Sequence, residues 1–270
     1  VSNRFDPMLR ALRREAPLIH AITNPISITQ CANAVLALGA RPIMAEHPRE
    51  VAEITATAAA LLLNLGNITD VRMEAMLRAA GTAREKGVPV VLDAVGVACS
   101  RMRRDYVRRL LEQYPPAVLK GNYAEINALV RPEYTASGVD GDRSLTPAAA
   151  AKAAGALARR YGCVVLASGE TDLVTDGSRT RAVRNGTPQL GSVTGTGCML
   201  GALCACFLTA AEPMAAAEAA CVTLGTAGEK AATPKGSGTF LVNLMDRLST
   251  LDGDTIQTCE RTEEFYHEEA

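Results

Sequence analysis

The chain has 270 residues, of which 48% are hydrophobic and 4% aromatic, enough for one large α/β domain or two small ones. Its 28 basic and 29 acidic residues leave a net charge of −1, so nothing electrostatic favours a nucleic acid or an anionic membrane as partner. Eight cysteines form no CxxC pair and only three histidines are present, which argues against a zinc centre and against a disulfide framework. Nothing resembles a signal peptide, and the expected compartment is the cytoplasm.

Residues 18–22 form a short apolar run that leads into Thr23-Asn24-Pro25, the first expected strand. Residues 27–38 read as a helix stopped by Gly39, and 42–45 as a second strand. Unbroken apolar runs at 60–65 and 88–95 bracket a helix at 69–86, which opens on a Thr cap and stops at Gly87. A Ser-capped helix at 100–113 leads to a strand at 117–120. A polar loop at 131–146 precedes a helix at 146–161 with Pro147 at its first position, and a strand follows at 163–168. Most of these strands lack alternation, as expected when both faces are buried. The βαβα order specifies an α/β fold: a mainly parallel sheet with helices on both faces.

Residues 173–176 and 180–183 flank Gly177-Ser178 and read as a hairpin at the sheet edge. Helices then dominate, at 198–211, 214–232 and 237–251. The apolar stretch 198–211 is too short to span a bilayer. The acidic tail from residue 252 reads as loosely packed or mobile. With neither a linker nor an internal repeat, residues 1–270 read as one domain.

The chemistry concentrates at strand ends, where ligands sit in open α/β sheets. The run Val193-Thr194-Gly195-Thr196-Gly197-Cys198 is a tight loop feeding a helix. The first N–H groups of a helix lack internal partners, and glycines let the backbone approach an anion. Gly195, Thr196, Gly197 and Cys198 therefore form a candidate anion hole. Cys198 is either a reactive side chain beside that anion or a small buried hydrophobe. Asp93 ends a strongly apolar strand: it either holds Mg²⁺ through water or caps the next turn. Asn122-x-x-Glu125 is either a helix cap or a second carboxylate facing metal and phosphate. Lys120 is a strand-end cation suited to phosphate, or an ordinary surface lysine. Met44 is a ligand contact or a core residue. No GxxxxGK[ST] motif occurs, so a P-loop is not expected.

Six segments together resemble the hydroxyethylthiazole kinase family of the ribokinase-like superfamily, from about residue 20 to 251. They are His20-Ala21-Ile22-Thr23-Asn24, Leu36-Ala37-Leu38-Gly39-Ala40-Arg41-Pro42-Ile43-Met44-Ala45, Leu63-Asn64-Leu65-Gly66, Val91-Leu92-Asp93-Ala94-Val95-Gly96-Val97, Lys120-Gly121-Asn122-Tyr123-Ala124-Glu125-Ile126 and the glycine loop ending at Cys198. Cys198 discriminates, because ribokinase-like sugar kinases usually carry Asp there.

The resemblance implies ATP-dependent phosphorylation of the primary alcohol of 4-methyl-5-(2-hydroxyethyl)thiazole in thiamine salvage. It also implies a homotrimer with active sites between subunits. It assigns Met44 and Gly195, with Asn24 nearby, to the thiazole; Lys120 and Ser168 to ATP; Asp93 and Glu125 to Mg²⁺ and the phosphates. It sets Cys198 beside the substrate hydroxyl as a modest base or orienting group. The family usually has Arg at position 120, Thr at 168, and Pro and Gly where Ala94 and Ala98 stand. Hydroxymethylpyrimidine kinase, pyridoxal kinase and the NAD(P)HX dehydratase are rival readings on the same fold. A catalytically silent thiazole-binding protein is the rival from another class.

Overall fold

A computed structural model describes residues 3–131, 133 and 145–266; most of the polar loop expected at 131–146 lies outside them. The chain opens with α1 (Phe5–Glu15), β1 (Leu18–Ile22), α2 (Ile28–Ala37), β2 (Arg41–Ile43), α3 (Val51–Thr57), β3 (Ala60–Asn64), α4 (Asp70–Lys86) and β4 (Val90–Asp93). It continues through α5 (Arg101–Gln113), β5 (Val118–Asn122), α6 (Tyr123–Val130), α7 (Pro147–Tyr161) and β6 (Val164–Ser168). A meander of β7 (Asp172–Thr175) and β8 (Thr180–Val183) follows, then a 3₁₀ turn at Pro188–Ser192. The last elements are α8 (Thr196–Phe207), α9 (Pro213–Ala231), α10 (Ser237–Thr250), α11 (Gly253–Cys259) and β9 (Thr262–Glu264).

The nine strands make one sheet in the order β2-β1-β3-β4-β5-β6-β7-β8-β9. All pairings from β2 to β6 are parallel; the last three are antiparallel. The caps read in the sequence operate as such: Thr69, Ser100 and Thr146 accept from the N–H three residues on. Gly87 and Gly162 end their helices in the left-handed conformation, which costs glycine nothing.

Alternate residues of the central strands face two cores. Leu62, Val91, Val118 and Leu166 pack with Met199, Leu203 and Phe207 of α8 and with residues of α1, α2, α9 and α10. Leu61, Leu63, Leu92, Leu119 and Val165 pack with residues of α4, α5 and α7. Side chains of one strand alternate in direction, so the unbroken apolar runs serve both layers.

Four features differ from the sequence reading, the first being α3 (Val51–Thr57), two turns where no helix was expected. α1 was not anticipated, although Phe5, Leu9 and Leu12 recur at helical spacing and are all buried. The segment from residue 252, expected as a loose tail, instead forms α11, which buries Ile256, and β9, which pairs with β8. The hairpin is therefore not the sheet edge. Finally, α8 starts at Thr196 and not at Cys198, because the chain turns at Gly195 with φ +94°.

Candidate active site

Register creates the site. In the parallel pairing, Asn64 of β3 lies opposite Asp93 of β4, and Asp93 lies opposite Lys120 of β5. Residues opposite one another in a ladder share a face. The three polar side chains thus form a row at the carboxyl ends of adjacent strands, on the α8 face. Lys120 Nζ donates to Asp93 Oδ1 at 3.0 Å, and Asn64 Nδ2 donates to Asp93 Oδ2 at 2.8 Å. Asp93 and Lys120 are buried. Burial pushes the Asp93 carboxyl up, against the pull of Lys120 and Asn64. Burial likewise opposes the Lys120 charge, but Asp93 and Glu125 overcome it and hold the ammonium above its ordinary range. With a donor on each carboxylate oxygen, the ion pair is the form this geometry supports.

The start of α8 sits over that row. Its first internal bond runs from Met199 N–H to Gly195 C=O at 2.8 Å, so the N–H groups of Thr196, Gly197 and Cys198 have no carbonyl one turn back. Two glycines on one face of α8 allow the approach. A Cβ on Gly201 would lie 3.2 Å from Leu62 and 3.4 Å from Asp93 Oδ2; one on Gly197 would lie 3.9 Å from Lys120 Nζ. Gly201 is a supporting residue the sequence reading missed, although its i, i+4 spacing from Gly197 was visible. The thiol of Cys198, half-buried in the first turn, accepts from Asn24 Nδ2 at 3.3 Å. Gly195 is packed over Ser27, whose Cβ lies 2.9 Å from where a Gly195 side chain would begin.

Glu125 fulfils the capping reading. Asn122 accepts from Glu125 N–H at 2.8 Å while Glu125 Oε2 accepts from Asn122 N–H at 2.7 Å, a reciprocal box. Its other oxygen accepts from Gly96 N–H at 2.7 Å. Burial, then repulsion from Asp93, push its carboxyl up to about 7 despite those two donors. With Glu125 ionised, Lys120, Asp93 and Glu125 together carry one excess negative charge. Each Glu125 and Asp93 oxygen already accepts one hydrogen bond, and the described residues contain no cluster of three metal-ligating side chains. Each carboxylate oxygen keeps a second lone pair, and Mg²⁺ keeps several waters and takes few protein ligands beside phosphate. A water-mediated role for Asp93 and Glu125 fits that donor set.

A cavity of about 890 Å³ opens on one side of the α8 start. Ser168, Gly169, Asp172, Asn185, Thr196 and Gly197 are among its lining residues. Ser168 Oγ reaches Gly121 C=O at 3.4 Å. Burial pushes the Asp172 carboxyl up to about 6, although Gly169 N–H donates to it. Thr196 Oγ1 donates to Leu190 C=O at 2.9 Å and pins the loop before the helix. Asn24, Met44, Gly195 and Cys198 are outside that lining. Met44 and Cys198 are both half-buried and pack against the α8-side core. His20, buried in β1, bonds Thr55 Oγ1 at 2.9 Å and the carbonyl of Ala45 at 2.8 Å, fixing the segment that carries Met44. Burial lowers its pKa, so it is a neutral structural ring.

A largely parallel sheet with helices on both faces, its strand ends meeting the open first turn of α8 beside a cavity, is a ribokinase-like fold. Solved structures share this fold: a pyridoxal kinase from Staphylococcus aureus in complex with AMP-PCP and pyridoxal matches it with a TM-score of 0.67 at 13% identity, over 92% of this chain and 99% of that one. The chain belongs to the hydroxyethylthiazole kinase family, whose model matches residues 9–254. Hydroxyethylthiazole kinase 2 of Clostridium botulinum is 40% identical over 92% of this chain and 95% of its own length. The hydroxyethylthiazole kinase of Methanocorpusculum labreanum is 36% identical over 97% and 99%. A hydroxyethylthiazole kinase structure from Pyrococcus horikoshii has a TM-score of 0.88 at 37% identity, covering 97% of this chain and 98% of that one.

Proposed function

We propose that this chain transfers the γ-phosphoryl group of ATP to the primary alcohol of 4-methyl-5-(2-hydroxyethyl)thiazole, a salvage step of thiamine synthesis. The start of α8 carries the reading. Its three unpaired N–H groups lie between a nucleotide-sized cavity and a half-buried thiol held by Asn24. ATP enters the cavity beside Ser168, and its terminal phosphates meet Gly195–Cys198 with the Lys120 charge beneath. The thiazole lies on the other side of the helix start, against Met44, Asn24, Gly195 and Cys198. One kinase domain accounts for the whole chain.

Phosphoryl transfer is mostly positioning and charge stabilisation through a loose transition state. The N–H groups of Thr196, Gly197 and Cys198 meet charge as it develops on the transferring group, and losing one such donor costs about 3–4 kcal/mol in comparable sites. Lys120 adds positive charge from below the cradle. It does so as a point charge, where an arginine would give a forked contact. Cys198 orients the alcohol or, as its thiolate, receives the alcohol's proton and becomes the thiol, a modest base; bonding to the nucleophile lags, so a strong base is not required. When bound, Mg²⁺ would supply charge neutralisation on the phosphates, and Asp93 and Glu125 would hold it through water.

Among the described residues no helix is long and apolar enough to cross a membrane, and we place the enzyme in the cytoplasm. We also read it as a homotrimer with sites between subunits. In support, Ile26 is 63% exposed and directly follows Pro25 beside Asn24, so an apolar surface adjoins the thiazole side. Sedimentation of a monomer at micromolar concentration would refute the trimer.

ADP release coupled to a chromogenic assay tests the function, with thiazole alcohol, hydroxymethylpyrimidine and pyridoxal offered separately with ATP and Mg²⁺. Turnover with the thiazole alcohol is expected. Turnover with only one of the others moves the chain to that branch, and thiazole binding without ADP identifies a silent protein.

A further inference from the structure

The amide of Asn64 has one permitted orientation. Gly66 N–H donates to its Oδ1 at 2.9 Å, so its Nδ2 faces Asp93. Asn24 is fixed in the same way. The N–H groups of Ile26 and Ser27 both donate to its Oδ1 at 3.1 Å. Its Nδ2 therefore donates to Asn64 Oδ1 at 3.0 Å and to Cys198 Sγ at 3.3 Å. Backbone donors thus decide which end of each amide is oxygen, since an amide nitrogen cannot accept. Hydrogen bonds run unbroken from the Lys120 ammonium through Asp93, Asn64 and Asn24 to the sulfur. Asn64 is 1% exposed and Asn24 4%, which leaves little room for solvent to substitute for a link. Gly66 closes over the pair: a Cβ there would lie 2.4 Å from Asn24 Nδ2.

We infer that Asn64 is a positioning residue for the transfer. By donating to Asp93 and accepting from Asn24, it aims the Asn24 amide at Cys198 and ties the alcohol side of the site to the ion pair beneath the phosphates. The inference rests on the reading of Asn24 and Cys198 as neighbours of the substrate alcohol. Asn64 touches neither substrate; it acts through Asn24. Without it the Asn24 carboxamide loses the partner that sets its torsion, and the thiol loses a directed donor.

A kinetic double-mutant cycle tests this. Asn64→Leu keeps the approximate shape and removes both the acceptor toward Asn24 and the donor toward Asp93. Asn64→Ser removes the amide without adding charge, and serves if the first variant does not fold. Either variant is expected to lower kcat for the thiazole alcohol about 10- to 100-fold, on the order of the cost of misplacing a reacting group by about 1 Å, with the KM for ATP unchanged. In an Asn24→Ala background the same substitution should cost little more, because residues acting as a unit are not additive. An equal loss in both backgrounds, or a raised KM for ATP with kcat preserved, overturns the inference.

Crystal structures of the Asn64 variants read the geometry without any substrate. The Asn24 amide is expected to turn from Cys198, and an unmoved amide overturns the inference. If the unsubstituted enzyme forms no ADP with the thiazole alcohol, the proposed function fails, and this structural readout still decides the role of Asn64.

Discussion

Gly195 and Gly197 stand two residues apart, and replacing each by alanine should have opposite effects on stability and the same effect on turnover. At Gly195 the chain has φ +94°, and a Cβ would sit 2.9 Å from the Cβ of Ser27. The left-handed backbone costs a non-glycine residue about 1–2 kcal/mol, and a contact that short at a rigid carbon adds about 1–3 kcal/mol. For a chain of this size that lowers Tm by about 5–15 °C. Gly197 lies within the first turn of α8, has no positive φ, and meets nothing nearer than Lys120 Nζ at 3.9 Å. Alanine is preferred over glycine in a helix by about 0.5–1 kcal/mol, so Gly197→Ala should hold or raise Tm by about 1–4 °C. Its methyl group nonetheless occupies the space above Lys120, where the proposed anion hole would seat a phosphoryl oxygen. Loss of that approach should lower kcat about 100-fold or more, the size of one lost anion-hole donor. Differential scanning fluorimetry and coupled ADP release measure both quantities on one preparation. A Gly197→Ala enzyme of raised Tm and near-normal kcat would refute the anion-hole assignment.

Lys120→Ala leaves Asp93 buried without its cation, which should cost about 3–5 kcal/mol of stability in urea unfolding and raise the KM for ATP more than that for the thiazole alcohol; the reverse order moves Lys120 to the alcohol side. Glu125 titrates near 7 in the folded chain against about 4.5 when free, so its burial penalty is absent below about 4.5, grows as pH rises, and is complete above about 7. If its anion serves Mg²⁺ and the phosphates, kcat/KM for MgATP should rise through pH 7 and the inflection should vanish in Glu125→Gln; an unchanged profile removes Glu125 from that role. Truncation after residue 252 uncovers the face that buries Ile256 and removes β9, so Tm should fall by several degrees, and an unaltered Tm would show that the segment contributes no packing.

The strands were legible because residues buried on both faces form unbroken apolar runs, and the helix starts were legible where a hydroxyl caps the first turn, as at Thr69, Ser100 and Thr146. α1 and α3 were not. α3 is two turns that bury only Val51 and Thr55, too little for a period to emerge. β9 has three residues and is held by pairing with β8, a long-range contact that leaves no local trace. At the site, residue types at strand ends were readable but their partners were not. Lys120 read as a phosphate cation or an ordinary surface lysine; the registers of β4 and β5 make it the partner of Asp93. Asn64 appeared only as part of a motif, because its meaning depends on Asn24, 40 residues away.

α8 is encased from Met199 to Phe207, and only its opening turn meets the site. Mobile ions that would attenuate a surface helix's field within about 10 Å at 0.1 M salt have no access to its flanks. If the first turn of α8 holds the phosphates as proposed, the helix's contribution there should outlast rises in ionic strength that abolish surface ion pairing, and transfer should depend far less on salt than capture of the anionic nucleotide does.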